Sequence, residues 1–492
     1  MEGEEKMRPR LPELRPPGSR MKILILVLQY PPDVNATGQL MAQLADTWAS
    51  QGHEVSVITS FPHYEHFRIW PEYRGKWMEK SERENERMGE GELGGDKGTR
   101  RQGEAERGTR EAFSDSPIPP LSSSPALPSV TRVWVYANGT KNMLNRLASY
   151  LSFTILAAVA GVMEQQRWDV ILCPNGSFFN GLTGWFLGRG RTSFVYNVQD
   201  LYPDVPIHAG QLKNGLAIRW LRGIEKYMYD RAAHVTAISP SIVDAIKGRG
   251  INAQKVSMIS NFVDTSFIRP LPKANEVSRR LRLDERFVVM QAGYIGYAYD
   301  LESLLYAAAL VREYDILFVI VGNGVAKEAL ENTRRALELD NVRFLPFHPR
   351  KDLPWLRAAA DVQVSLHRHQ SAEYSLPSKV YEIMASGRPL LASSDKGSEV
   401  WNLIQETGCG DCIEPGQPAK LAEAVLSLYR NPALREAMGK RGRAHAVAHY
   451  SKEAVAEQYL TLFEKMMADH SSVRDSRSKI ESPEPSAIEF GK

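Results

Sequence analysis

Leu376-Pro377-Ser378-Lys379-Val380-Tyr381-Glu382-Ile383-Met384-Ala385-Ser386-Gly387 reads as one short helix with a defined start and stop. Ser375 can cap the first amides, Pro377 suits the first turn, and Gly387 followed by Pro389 ends it. Val380, Ile383, Met384 and Gly387 recur at helical spacing, so that face is predicted to be buried. Ser378, Lys379 and Glu382 share the other face near the N-terminus. Free N–H groups beside a lysine make an anion site suited to a diphosphate. A carboxylate one turn further in can accept two hydrogen bonds from a vicinal diol such as a ribose. The same spacing equally suits a surface helix with a solvated Lys–Glu pair, and this stretch alone does not choose between them.

The flanking sequence supplies context. Residues 287–290 are an apolar run leading into Gly293 and Gly296, and residues 316–321 lead into Gly322 and Gly324. Further short strands are predicted at 342–345, 361–364 and 389–391. Upstream, residues 22–30 (KILILVLQY) form a continuous apolar run stopped by Pro31-Pro32, as suits a strand buried on both faces. A loop with Asn35 and Gly38, an amphipathic helix through Leu40, Leu44 and Trp48, and a strand at 53–58 complete a βαβ unit. The alternation continues through 169–173, 193–198, 216–229, 234–238, a helix from Ser239-Pro240, and 256–261. Most strands end in a glycine or polar loop, where open parallel sheets bind ligands. The expected fold is therefore α/β, with two doubly wound domains whose strand ends face a cleft. Their predicted extents are 21–268, completed by a helix at 452–468, and 273–449.

Composition bounds the rest. The 492 residues are 43% hydrophobic and 24% charged, with a formal net charge of +3, too small to argue for nucleic acid. Three cysteines imply no disulfide framework and favour a reducing compartment. Cys409-Gly-Asp-Cys412 has no second pair or histidine cluster, so it reads as a glycine-containing loop rather than a metal site. Residues 1–20 are charged and proline-rich and read as a disordered extension, with Met21 opening the ordered chain. Residues 79–130 are polar, then Pro/Ser-rich, and read as a disordered insertion; residues 470–492 read as a disordered tail. Residues 147–163 carry no charge. They are short for a membrane span but suit a helix packed in the domain, one lying at a membrane interface, or both.

Taken together, Tyr30-Pro31-Pro32 with Gly38, Gly52-His53-Glu54-Val55, Gln199-Asp200-Leu201-Tyr202-Pro203, Ser239-Pro240-Ser241, Asn261-Phe262-Val263-Asp264, Gly293 to Gly296, Gly322-Asn323-Gly324 and Pro377 to Gly387 carry a resemblance. The chain resembles retaining GT-B glycosyltransferases of family four, in the branch of colanic-acid and exopolysaccharide fucosyltransferase-like and fucosamine-transferase-like proteins. The resemblance implies two facing Rossmann-like domains, the first on the acceptor side and the second binding the nucleotide sugar. It implies transfer of a hexosyl or deoxyhexosyl group to a polyprenyl-diphosphate-linked saccharide during surface polysaccharide synthesis. It further implies a cytoplasmic protein peripheral to the inner membrane.

Position by position, the resemblance places Glu382 at the donor ribose, and Ser378 and Lys379 at the diphosphate. Gly293, Gly296 and Tyr294 fall on the donor loop, Gly38 on the opposite wall, and Leu345 and Pro346 beside the base. Asp200 and Asn261 are acceptor-side candidates. The family spaces two glutamates with seven residues between them; here the first position is Tyr374, with Glu373 one residue early, so Glu373 joins Glu382 and Lys379 as a catalytic candidate. The family's basic pair after the first strand of the second domain is replaced by Tyr294 and Tyr299. Helix amides, glycine loops and Lys379 would stabilise the departing diphosphate, and no metal or other cofactor is expected. Two rivals stand beside this reading: a nucleotide-sugar epimerase on the same fold, and a non-catalytic nucleotide-sugar-binding or assembly protein.

Overall fold

The computed structural model describes residues 20–33, 35–64, 67–82, 127–140, 143–189, 192–204, 207, 212–369 and 377–480. The first domain is an eight-stranded sheet of β1 (Lys22–Leu26), β2 (Glu54–Ser60), β3 (Met78–Glu82), β4 (Ser129–Val133), β5 (Val170–Pro174), β6 (Ser193–Val198), β7 (His234–Ala237) and β8 (Val256–Met258). Its order is β3-β4-β2-β1-β5-β6-β7-β8, with β3 alone antiparallel to its neighbour. Helices cover both faces, so Ile23–Leu26 of β1 and all of β5 are buried, with no alternation of apolar and polar residues.

The second domain is a six-stranded parallel sheet. Its strands are β9 (Phe287–Ala292), β10 (Ile316–Val321), β11 (Val342–Leu345), β12 (Val362–Leu366), β13 (Leu390–Ser393) and β14 (Gly410–Ile413), in the order β11-β10-β9-β12-β13-β14. The order in which strands are added reverses between the parallel neighbours β1 and β5 in the first domain, and between β9 and β12 in the second. A crevice opens at such a switch point, beyond the carboxyl ends of the strands.

The Lys452–Ile480 helix returns to the first domain, where Tyr459 and Phe463 pack edge-on against Trp48 at 5.9 and 5.6 Å. Trp48 Nε1 donates to Ala456 O (3.1 Å), so the chain's end is tied to its first helix. The Pro432–His449 helix braces the junction: Arg443 donates to the carbonyls of Thr265, Ile268 and Ala385 at 2.9–3.0 Å.

Several boundaries differ from the sequence reading. The insertion is narrower at both edges, because Met78–Glu82 and Ser129–Val133 pair with each other and close the sheet; residues 83–126 lie outside the described residues. The last helix runs to Ile480, past residue 468 and into the stretch read as a disordered tail. Residues 1–19 and 481–492 lie outside the described residues. Cys409 and Cys412 are not in an open loop: Cys412 is in β14, and both are buried in an apolar cluster with Met384, Leu390 and Ile404.

Gly322 illustrates how tightly the two central strand ends meet. Its φ is +138°, and a Cβ there would overlap the Gly293 carbonyl oxygen. Gly322→Ala is expected to lose about 2–4 kcal/mol of stability, read from the urea midpoint. An unchanged midpoint would mean that the β9 and β10 loops are not in contact.

Candidate active site

The Ser378–Ala385 helix starts directly after Pro377, whose backbone is extended and makes no side-chain cap, so the proline precedes the first turn. Ser375, Tyr374 and Glu373 lie outside the described residues. Val380, Ile383 and Met384 are fully buried, as the spacing requires, and Tyr381 joins them. The helix's first turn opens on a cavity of about 490 Å³ at the β9/β12 switch point. Ala292 ends β9 and Gly293 follows it, Val321 ends β10 and Gly322 follows it, His367 follows β12, and Ser378, Lys379 and Glu382 form the floor.

Within that cavity the Lys–Glu pair of the alternative surface-helix reading does not form. Lys379 Nζ sits 3.9 Å from the centroid of the Tyr299 ring, a cation–π contact. Burial, and secondarily the nearby Arg357 charge, lower its pKa to about 7. Glu382 instead pairs with the Arg357 guanidinium from the Leu353–Ala358 helix. Arg357 keeps only 4% of its side chain exposed against 32% for Glu382, so the cation is the buried member. Arg357 Nη1 also donates to Gln363 Oε1 (2.6 Å), and Gln363 Nε2 donates to Ser386 Oγ (2.9 Å). The carboxylate is thereby held from behind while still meeting the cavity.

Arg357 and His367 are site residues the sequence reading missed. No local spacing links Glu382 to a residue on another helix; only the fold does. His367 packs on Tyr299 with ring centroids 5.3 Å apart and shares a hydrogen bond with Ser365 Oγ through Nε2 (3.1 Å). Burial, then Lys379, push its pKa down to about 3, so the ring is neutral at pH 7.

The other predicted positions divide. Gly293 lines the cavity at φ +136°, and a Cβ there would meet nothing within 4 Å, leaving room for a ligand to approach the backbone. Tyr294 also lines it, exposed. Gly296 stands behind, where a Cβ would lie 2.6 Å from the Tyr294 ring. Leu345 and Pro346 are not among the lining residues: Leu345 O accepts from Gly322 N (3.0 Å), and Phe347 and His348 form that wall. Gly38 lies in the first turn of the Ala36–Ser50 helix, where a Cβ would overlap the Gln29 carbonyl oxygen, so close backbone packing explains it.

Asp200 and Asn261 do not reach this cavity. Asp200 O accepts from Asn175 Nδ2 (2.5 Å). Asn261 Nδ2 donates to Gln199 Oε1 (3.0 Å) in a chain that continues through Asn197 to Tyr459 of the last helix.

A second cavity, about 110 Å³, lies beyond the carboxyl ends of β1, β2 and β4. Gln29, His63, Tyr64, Tyr136, Arg146 and Tyr150 line it. His63 is buried and fixed by the Asp33 carboxylate, which accepts from the backbone N–H groups of His63 and Tyr64 at 3.0–3.1 Å. Burial raises the Asp33 pKa and lowers that of His63. Among the described residues no group of three or more His, Cys, Asp or Glu could hold a metal ion.

A domain family described as "Glycosyl transferase 4-like domain" matches residues 35–261, and one described as "Glycosyl transferases group 1" matches residues 273–445. WcaI of Escherichia coli (strain K12), named as a colanic acid biosynthesis glycosyl transferase, is 24% identical over 457 residues, spanning 89% of this chain and 99% of its own length. The lipopolysaccharide core biosynthesis glycosyltransferase LpsD of Rhizobium meliloti (strain 1021) is 26% identical over 49% of this chain and 66% of its own. Anabaena Alr3699/HepE, solved in complex with UDP, shares the fold with a TM-score of 0.61 and 16% identity over 90% of this chain and 100% of that one. That likeness and the two Rossmann-like sheets make the architecture GT-B.

Proposed function

We infer, for a chain that belongs to the group 1 glycosyl transferases, that it moves a sugar from a nucleotide-diphosphate sugar to a saccharide acceptor. The observation carrying this reading is the joint opening of Lys379, the Ser378 helix N-terminus and the Arg357-held Glu382 into one cavity at a switch point. Ser378 and the first helix amides take the diphosphate, and Lys379 neutralises it as the sugar leaves. Glu382 accepts from the ribose hydroxyls, with Arg357 as its positioning residue. Gly293 lets a phosphate or sugar approach the backbone. Transfer proceeds with retention: the leaving phosphate oxygen deprotonates the acceptor on the face it vacates, with no protein nucleophile.

The acceptor enters through the first-domain cavity, whose tyrosines, amide and imidazole suit a saccharide. That acceptor is lipid-linked, and the product belongs to a surface polysaccharide. The relatives named for colanic acid and lipopolysaccharide core synthesis support this assignment. A lipid-linked acceptor places the enzyme at the cytoplasmic face of the membrane.

Calorimetric titration with UDP and GDP tests the donor site through its proton balance. With Lys379 at about pKa 7, most molecules are neutral there at pH 8. A bound diphosphate favours the ammonium and raises that pKa. Binding at pH 8 should therefore take up close to one proton, seen as an enthalpy that varies with buffer ionisation heat, and Lys379→Met should abolish the uptake. Nucleotide binding with no proton uptake in the parent would place the diphosphate elsewhere.

A further inference from the structure

The Met143–Met163 helix has a face that the donor site does not explain. Phe153, Ala157 and Ala160 are fully buried on its inner side. Thr183 Oγ1 donates to Thr154 O (3.1 Å), and a Cβ at Gly161 would lie 2.5 Å from Leu187, so it packs closely on the Asn180–Gly188 helix. On the outer side Leu144, Leu147, Leu151, Ile155, Val159 and Val162 are all exposed, Leu144 at 76% and Ile155 at 62%. Steps of three and four put them in one stripe about 27 Å long. No charged residue interrupts it from Leu147 to Met163, whereas a helix face in water normally carries charge.

Two neighbouring helices extend the face. Trp185 and Phe186 are exposed on Asn180–Gly188, and Leu216 and Trp220 on Gly215–Arg231. Leu182, Leu216, Trp220, Ile224 and Tyr227 enclose an apolar groove between them, edged by Arg219. Arg189 lies over the Phe186 ring at 4.6 Å, and Arg231 over Trp185 and Tyr227 at 5.8 and 5.1 Å. Aliphatic side chains framed by tryptophan and arginine match the boundary between acyl chains and anionic headgroups. The buried inner side holds the helix in the domain, so it lies flat and does not span. Its first turns, through Arg146 and Tyr150, also line the first-domain cavity.

We propose that this three-helix face docks in the interface of an anionic bilayer and sets the Arg146–Tyr150 cavity against the headgroups, where a lipid-linked acceptor is presented. The inference rests on the lipid-linked reading of the acceptor, and its test is independent of the donor site. The full chain is sedimented with vesicles of phosphatidylcholine alone or with one-third phosphatidylglycerol. The parent should bind the anionic vesicles at least about tenfold more tightly. The variant Leu151→Glu/Ile155→Glu should lose at least about tenfold of that binding, with UDP and GDP affinity unchanged. Equal binding to both vesicles, or an unaffected glutamate variant, overturns the proposal. So does a parent that ignores vesicles but forms a dimer that the variant dissociates, which would make a second copy the occupant. A parent that binds neither UDP nor GDP would instead count against the donor site.

Discussion

Lys379→Met is expected to slow sugar transfer about 10²- to 10³-fold without destabilising the protein. The methionine keeps the apolar stem against Tyr299 and removes the charge, so the packing survives while the diphosphate loses its neutralising cation. The stability side follows from linkage. Burial holds the folded pKa near 7, against 10.5 for an ordinary lysine. Between those values the unfolded chain binds more protons, so this group makes stability rise with pH from about 7 to about 10.5 and contributes no slope below 7. Thermal melts at pH 6 and pH 9 should therefore favour the methionine variant at pH 6 and narrow toward pH 9. A variant that loses stability equally at both would point to a packing role for Lys379.

Glu382→Ala carries the second large effect and a complication that the helix alone does not reveal. Removing the carboxylate strands the Arg357 guanidinium, which is nearly fully buried. A stranded buried cation costs about 3–5 kcal/mol, discounted here to about 2 because the carboxylate is one-third exposed. Transfer should fall about 10²-fold or more, a loss that combines the missing carboxylate with displacement of Arg357. Glu382→Gln separates the two contributions. It keeps an acceptor for the ribose and forfeits the ion pair, so stability should fall while nucleotide affinity stays within about tenfold of the parent. Arg357→Met should leave a partly solvated glutamate, destabilise less than Glu382→Ala, and raise KM more than it lowers kcat. If Glu382→Ala transfers at the parental rate, the carboxylate is not at the ribose.

The fold was legible because its evidence is local. Uninterrupted apolar runs such as 23–26 and 316–321 can satisfy both faces only inside a covered parallel sheet, and glycines at 293, 322 and 324 mark strand ends that approach one another. The buried face of the Ser378–Ala385 helix was equally readable from its period. What the sequence could not disclose were pairings between distant segments. Lys379 finds Tyr299, and Glu382 finds Arg357, because β9, β12 and their loops converge at the switch point. Asn261 similarly meets Gln199, 62 residues away, and Gly38 closes on the Gln29 carbonyl, contacts that no local spacing announces. The cysteines likewise share a strand end in the core, where burial raises their pKa values and keeps them as thiols.

The central claim is that the cavity under Ser378, Lys379 and Glu382 binds the donor from which the sugar is transferred. Labelled UDP- and GDP-sugars should be incubated in turn with lipid-linked saccharide acceptors, using parent and Lys379→Met protein, and the product's anomeric configuration read by NMR. The account predicts that one donor class yields a product that retains the donor's configuration, at a rate about 10²- to 10³-fold lower in the variant. Transfer at equal rates in both proteins, or tight nucleotide binding by the parent with no transfer to any acceptor, would contradict it.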